Sequence, residues 1–147
     1  MPSVTPVDTS TGELGAALRA GNGATNATVD HFGRVSVANT RDGEILGFYG
    51  TPLVMRFRYP VAGGPYAVDY DDTRDLLWVS TTANNEVVGY DLSGGEPTAK
   101  YRYATVDQPD SIAVDDTSGT LYILSARSGL LQILTPGSAP SAAPPAR

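Results

Sequence analysis

The 147-residue chain carries 16 acidic against 10 basic side chains, and its formal net charge of −6 argues against DNA, RNA and anionic membranes as partners. It has no cysteine and a single histidine, which excludes disulfides, thiolate metal sites, cysteine nucleophiles and multi-histidine metal sites. No apolar run reaches the roughly 18 residues needed to cross a bilayer, and the N-terminal residues do not follow the pattern of a signal peptide.

The predicted elements follow the chain as copies of one unit of four strands, named a to d. Val4–Glu13 resembles Val87–Glu96, so the first copy is predicted to contain strands c and d only. Val29–Asn39 predicts a turn and a second strand, and Glu44–Tyr59 continues the unit through strands c and d.

The clearest repetition comes next, where Pro65–Ala83 realigns on Pro109–Arg127 at a constant offset of 44 residues. A period in the forties built from strands alone is typical of the blades of a β-propeller. The sequence therefore predicts an all-β, partial β-propeller of about three blades of four-stranded antiparallel sheet, in the order c-d, a-b-c-d, a-b-c-d, a-b-c. We expect the domain to span residues 1–135, in segments of about 1–21, 22–61, 62–105 and 106–135, with a disordered Pro/Ala/Ser-rich tail at 136–147.

Alternating side chains predict the two complete fourth strands, Leu53–Tyr59 and Thr98–Thr105. The first places Leu53, Met55, Phe57 and Tyr59 on one face, and the second does the same for Ala99, Tyr101, Tyr103 and Thr105. Basic residues on these outer strands would keep the edges from pairing with other chains. They are Arg19, Arg56, Arg58, Lys100 and Arg102.

Three segments support a family resemblance: VDTSTGEL, AVDYDDTRDLLWVS and IAVDDTSGTLYILSA. They resemble repeats of the YVTN and NHL classes of β-propeller, in which Val-Asp ends strand a and Tyr/Trp-Val follows the turn. The chain also resembles exported actinobacterial propeller proteins. That resemblance implies a secreted or lipid-anchored, non-enzymatic protein, and the residues themselves leave the compartment open.

The predicted strands are too few for a closed ring, since propellers close with about four to eight blades. We consider three explanations: a fragment of a longer propeller, self-association that completes the ring, and a stable open arc. In the second case, the Leu14–Ala20 strand of another copy could supply the fourth strand missing after Leu134.

Geometry indicates where a site would lie. The loops that join d to a and b to c emerge on one rim, and polar loops on a rigid scaffold suit the binding of a protein, peptide or polar ligand. Solvated turns are the alternative interpretation. The candidate ligand-binding residues are Asn39, Arg41, Tyr66, Asn84, Asn85, Asp110 and Arg127.

Catalytic motifs are weak, so no catalytic residue and no metal ligand is assigned. His31 falls in an a–b turn, and Trp78 matches Tyr122 as a core residue. Closely spaced Asp69 to Asp75 suggest a calcium loop, but the glycine and glutamate of an EF-hand are missing.

Two functions are consistent with these residues. The first is a non-catalytic binding or scaffold propeller with no cofactor, which presents its rim loops to a ligand. The second is a calcium-dependent lactonase or lyase of propeller type, whose metal site would be completed by blades outside this sequence.

Overall fold

The computed structural model describes residues 1–137, and all regular structure in that range is β-strand. No helix long and apolar enough to span a membrane occurs among these residues. The thirteen strands are β1 Ser3–Val4, β2 Leu18–Arg19, β3 Ala24–Val29, β4 Val35–Asn39, β5 Glu44–Tyr49, β6 Val54–Pro60, β7 Pro65–Asp71, β8 Leu76–Thr81, β9 Glu86–Asp91, β10 Thr98–Ala104, β11 Ser111–Val114, β12 Leu121–Ser125 and β13 Leu130–Leu134.

The strands form four antiparallel sheets, each a meander of consecutive strands. Blade 1 is β1–β2, blade 2 is β3–β6, blade 3 is β7–β10 and blade 4 is β11–β13. This confirms the predicted order c-d, a-b-c-d, a-b-c-d, a-b-c. The predicted tail falls mostly on residues 138–147, which lie outside the described residues.

The core lies between successive blades, because neighbouring sheets bury the faces that they turn towards each other. Blades 2 and 3 share a cluster that includes Ile45, Leu77 and Val88. Blades 3 and 4 share another around Trp78, whose ring is 1% exposed, and this confirms its assignment to the core. A third cluster around Phe48 joins blades 1 and 2.

The predicted faces of the two complete fourth strands are wrong in part, because each strand contains a β-bulge. In β10, Ala99 pairs with Tyr90 and Tyr101 pairs with the next residue of β9, Gly89. Lys100 therefore has no partner residue in the ladder. Ala99 therefore packs towards blade 2, and Tyr101 packs towards blade 4. One extra residue reverses the alternation from that point onwards.

The same bulge occurs in β6, where Phe48 pairs with Met55 and Gly47 pairs with Phe57. Phe57 packs against the core between blades 2 and 3. Met55 instead lines the outer surface beside Arg58 and is 38% exposed. Arg56 is the residue that the bulge adds.

The basic residues of the outer strands also differ from the prediction, since several form ion pairs within the blade. Arg102 donates to Glu86 at 2.7 Å, with the two side chains 16% and 7% exposed. Its repeat equivalent Arg58 donates to Glu44 at the same distance but is 61% exposed. Arg102 therefore belongs to the blade interior and does not protect an edge.

Candidate functional site

The loops between b and c lie beside the loops between d and a, as predicted. In blade 2 the Thr40 amide donates to the Gly23 carbonyl, and in blade 3 the Ala83 amide donates to the Gly63 carbonyl. We call this edge of the blades the b–c rim. The opposite edge, which carries the a–b and c–d turns, is the a–b rim.

Three of the seven predicted ligand-binding residues fix the b–c rim itself. Asn39 is fully buried, accepts from the Gly23 amide at 2.9 Å and donates to Asp42 and Glu44. Asn85 accepts from the Gln108 amide at 2.8 Å, and Asp110 accepts from the Ala126 amide at 3.2 Å. These side chains hold neighbouring loops together.

The other four predicted residues lie along the same rim. Arg41 and Arg127 are exposed, and Arg127 forms a long ion pair of 3.7 Å with Asp107. The Asn84 amide lies against the backbone of Gly63, and the Tyr66 carbonyl accepts from Thr25 Oγ1 at 3.3 Å. Within residues 1–137, none of the seven predicted side chains hydrogen-bonds or ion-pairs with another of the seven.

At the a–b rim, acidic residues join one blade to the next. Asp72 accepts from the backbone amide of His31 in the preceding blade at 2.9 Å, and Asp116 accepts from the amide of Asp72 at 3.2 Å. Each turn is closed in addition by its first Asp; Asp71, for example, accepts from the Thr73 amide. The acids are thus turn and connector residues, as the sequence indicated.

A cleft of about 480 Å³ opens on this rim between blades 2 and 3. We call it the Phe32 cleft, and it is lined by Phe32, Arg34, Tyr49, Tyr70, Asp75, Leu92 and Ser93. The Phe32 ring is 64% exposed, and the guanidinium carbon of Arg34 lies 5.0 Å from its centre. Such cation–π contact fixes the ring in an exposed position.

A chain of polar contacts crosses the cleft and fixes its side chains. Arg34 donates from Nε to Asp30 at 2.5 Å and from Nη2 to the Tyr70 hydroxyl at 3.2 Å. That hydroxyl donates to Asp75 at 3.3 Å, and Asp75 Oδ1 lies 2.7 Å from His31 Nε2. The network joins the a–b turns of both blades.

Three groups of this network, His31, Arg34 and Tyr70, have raised pKa values. The hydrogen bond to Asp75 raises the pKa of His31 above its usual range, which favours the imidazolium form. Burial raises the pKa of Tyr70, so its hydroxyl stays neutral at physiological pH. The cleft therefore offers a guanidinium, a neutral phenol, a carboxylate and one exposed apolar ring, that of Phe32.

The sequence predicted a candidate site on the b–c rim and did not predict the Phe32 cleft, which is a second candidate. The available signal was a departure from the repeat, since Phe32 occupies the turn position held by Thr73 and Thr117 in the other units. An aromatic residue where the repeat needs only a small polar turn residue points to a role other than turn formation.

The acids that suggested calcium are each hydrogen-bonded to protein groups. Asp69 accepts from the Val114 amide, Asp71 bonds its own turn and Arg74, Asp72 accepts from His31, and Asp75 pairs with the His31 ring. No group of three or more His, Asp or Glu side chains within residues 1–137 is placed to hold a metal ion.

Comparison with known proteins identifies the architecture. No family model matches the chain, and no curated protein matches it. Virginiamycin B lyase from Staphylococcus aureus superposes with a TM-score of 0.73 at 12% identity, over 95% of this chain and 48% of the lyase chain. The chain folds as part of a β-propeller.

Two further solved structures give the same result. The Cps50 (Swd1) β-propeller domain of Myceliophteria thermophila has a TM-score of 0.69 at 15% identity, over 88% of this chain and 45% of that chain. Hydrazine synthase of Kuenenia stuttgartiensis has a TM-score of 0.70 at 14% identity, over 81% and 34%. This propeller chain therefore spans less than half the length of each of the three, and its similar structures include enzymes as well as a WD40-type domain.

Proposed function

We propose that this chain is a non-catalytic binding propeller that holds a protein, peptide or polar ligand in the Phe32 cleft. The observation that carries the proposal is the Phe32 ring, which stands exposed on the wall of a cleft whose polar groups are already fixed by their neighbours. Exposed aromatic rings beside an arginine are common anchors of binding surfaces. Side chains fixed before binding lose little conformational entropy when a ligand arrives.

The lining suggests the ligand's chemistry. Phe32, Tyr49 and Leu92 provide apolar contact, while Asp75 and Ser93 provide polar contacts at the same cleft. A peptide segment with an aromatic or aliphatic side chain next to a hydrogen-bond donor would satisfy both sets of groups. The network also contains His31 and Tyr70, and we assign them to positioning because each is hydrogen-bonded to Asp75.

Titration with N-acetyl-tryptophan amide, followed by two-dimensional NMR of the labelled chain, tests the proposal. We expect shifts at His31–Arg34 and Tyr70, and their loss in Phe32→Ala. Met55→Ala is the matched control, because Met55 is also an exposed apolar residue but lies away from the cleft. Shifts that cluster on Arg41 and Arg127 would place the site on the b–c rim, and shifts that persist in Phe32→Ala would contradict the proposal.

A further inference from the structure

The last sheet leaves one apolar face uncovered. Tyr122, Leu124, Leu131 and Ile133 project from this face and are 39, 41, 57 and 63% exposed. They form two cross-strand pairs, Tyr122 with Ile133 and Leu124 with Leu131, so the four side chains make one continuous patch. We call it the tail face.

The same surface is buried one repeat earlier. At the offset of 44 residues, Tyr122 and Leu131 correspond to Trp78 and Val87 of blade 3. Those residues are 1% and 0% exposed, because the opposite side of blade 4 covers them with Leu121 and Ile123. The tail face is thus equivalent to a surface that the next blade buries in blade 3, but no further blade covers it among the described residues.

The other end of the chain offers the matching side. Thr28 of β3 faces blade 3, where it contacts Asp69 at 3.4 Å, so Ala27 and Val29 face away from blade 3. Val29 is 58% exposed, whereas its repeat equivalent Tyr70 is 4% exposed. We call Ala27 and Val29 the head face.

The head face is uncovered because blade 1 has only two strands. Those strands cover Val37 and Phe48 on the second and third strands of blade 2 and leave Ala27 and Val29 of β3 exposed. A further blade would place its strands a and b against β3. Blade 4 contains strands a, b and c, and it lacks strand d.

We propose that the tail face of one copy of this chain packs on the head face of a second copy, and that two such contacts close a ring. Each composite blade takes strands a, b and c from β11–β13 of one copy and strand d from β2 of the other, so β13 takes the position that β1 holds in the single chain. Two copies then supply four whole blades and two composite blades, and six blades lie within the range in which propellers close.

A contact between two different faces of the same chain is heterologous, and it ends in a closed assembly only when the rotation between copies closes. Light scattering after size exclusion, at several concentrations of the 147-residue chain, should give twice the 15.4 kDa chain mass. A mass of one chain would overturn the proposal. A mass that keeps growing with concentration would overturn it too, because it indicates an open polymer.

Glutamate substitutions on each face test which surfaces form the contact between the two copies. Ile133→Glu on the tail face and Val29→Glu on the head face should each give a single-chain mass, with the far-UV circular dichroism of a β-sheet protein retained. Gly94→Glu, which introduces the same charge at an exposed site between β9 and β10 of blade 3, away from both faces, should leave the double mass unchanged. A Val29→Glu protein that keeps the double mass while Ile133→Glu loses it would indicate tail-to-tail pairing and contradict the head-to-tail contact.

Mixing the two variants tests the contact without relying on either variant alone. An Ile133→Glu chain retains an intact head face, and a Val29→Glu chain retains an intact tail face. The mixture should therefore recover a two-chain species through one intact composite blade. No recovery, with both variants folded, would refute the head-to-tail contact.

Discussion

Replacement of Arg102 by methionine is expected to lower the free energy of unfolding by about 3 kcal/mol. That is the low end of the range for removing one partner of a buried ion pair, and it applies because the Arg102 and Glu86 side chains are only 16% and 7% exposed. Methionine keeps the apolar stem of the side chain, so the loss reports mainly on the removal of the guanidinium.

The chain contains its own control for this experiment. Arg58 and Glu44 form the equivalent pair at the same 2.7 Å distance, but Arg58 is 61% exposed, so water can solvate Glu44 when the arginine is removed. Arg58→Met should therefore change stability much less than Arg102→Met. Urea unfolding followed by circular dichroism at fixed chain concentration measures both. Equal losses, or a coupling between Arg102→Met and Glu86→Gln below about 1 kcal/mol in a double-mutant cycle, would refute the reasoning from burial.

Three further outcomes are expected. Gly89→Ala should cost about 1–3 kcal/mol, because its Cβ would lie 2.8 Å from Cζ3 of the Trp78 ring; Gly94→Ala, with open space around the site, should be neutral by the same urea assay. The pKa of His31 in an NMR titration should exceed its value in the unfolded chain and fall in Asp75→Asn. Since the folded-state pKa is the higher one, the stabilising contribution is complete below the unfolded pKa and disappears as pH rises through the folded pKa; equal stability of the two proteins at all pH values would contradict this. Millimolar calcium should leave the melting temperature unchanged, and a rise that grows with calcium concentration would revive the metal-dependent enzyme.

The repeat predicted the strand order because blades repeat their turn residues. Asp71 and Asp115 close equivalent turns in the structure, and Asp8 accepts from the Ser10 amide as Asp91 does from the Ser93 amide. Residues that bond their own backbone act locally, so their spacing along the sequence is sufficient to locate the turns.

The bulges and the cleft could not be predicted in this way. The bulge at Lys100 is a property of the pairing between two strands, and alternation within one strand contains no sign of it. The Phe32 cleft combines residues of two blades that do not repeat, such as Tyr49 and Leu92, and their proximity depends on how the blades pack. The polar b–c loops were the more visible feature in the sequence, yet Asn39 and Asn85 serve to bind those loops together.

The connections between the a–b turns have a consequence for how such a chain can grow. Asp72 donates its amide to the following blade and accepts, through its carboxylate, from the preceding one. A repeat unit whose Asp supplies both the amide donor and the carboxylate acceptor can be duplicated in tandem. The new copy then forms the same hydrogen bonds to the blade on each side without a change of sequence. The blade is in this sense a module for gene duplication, and the Asp-Asp-Thr that opens the turn in both blade 3 and blade 4 is what copying of such a module would leave.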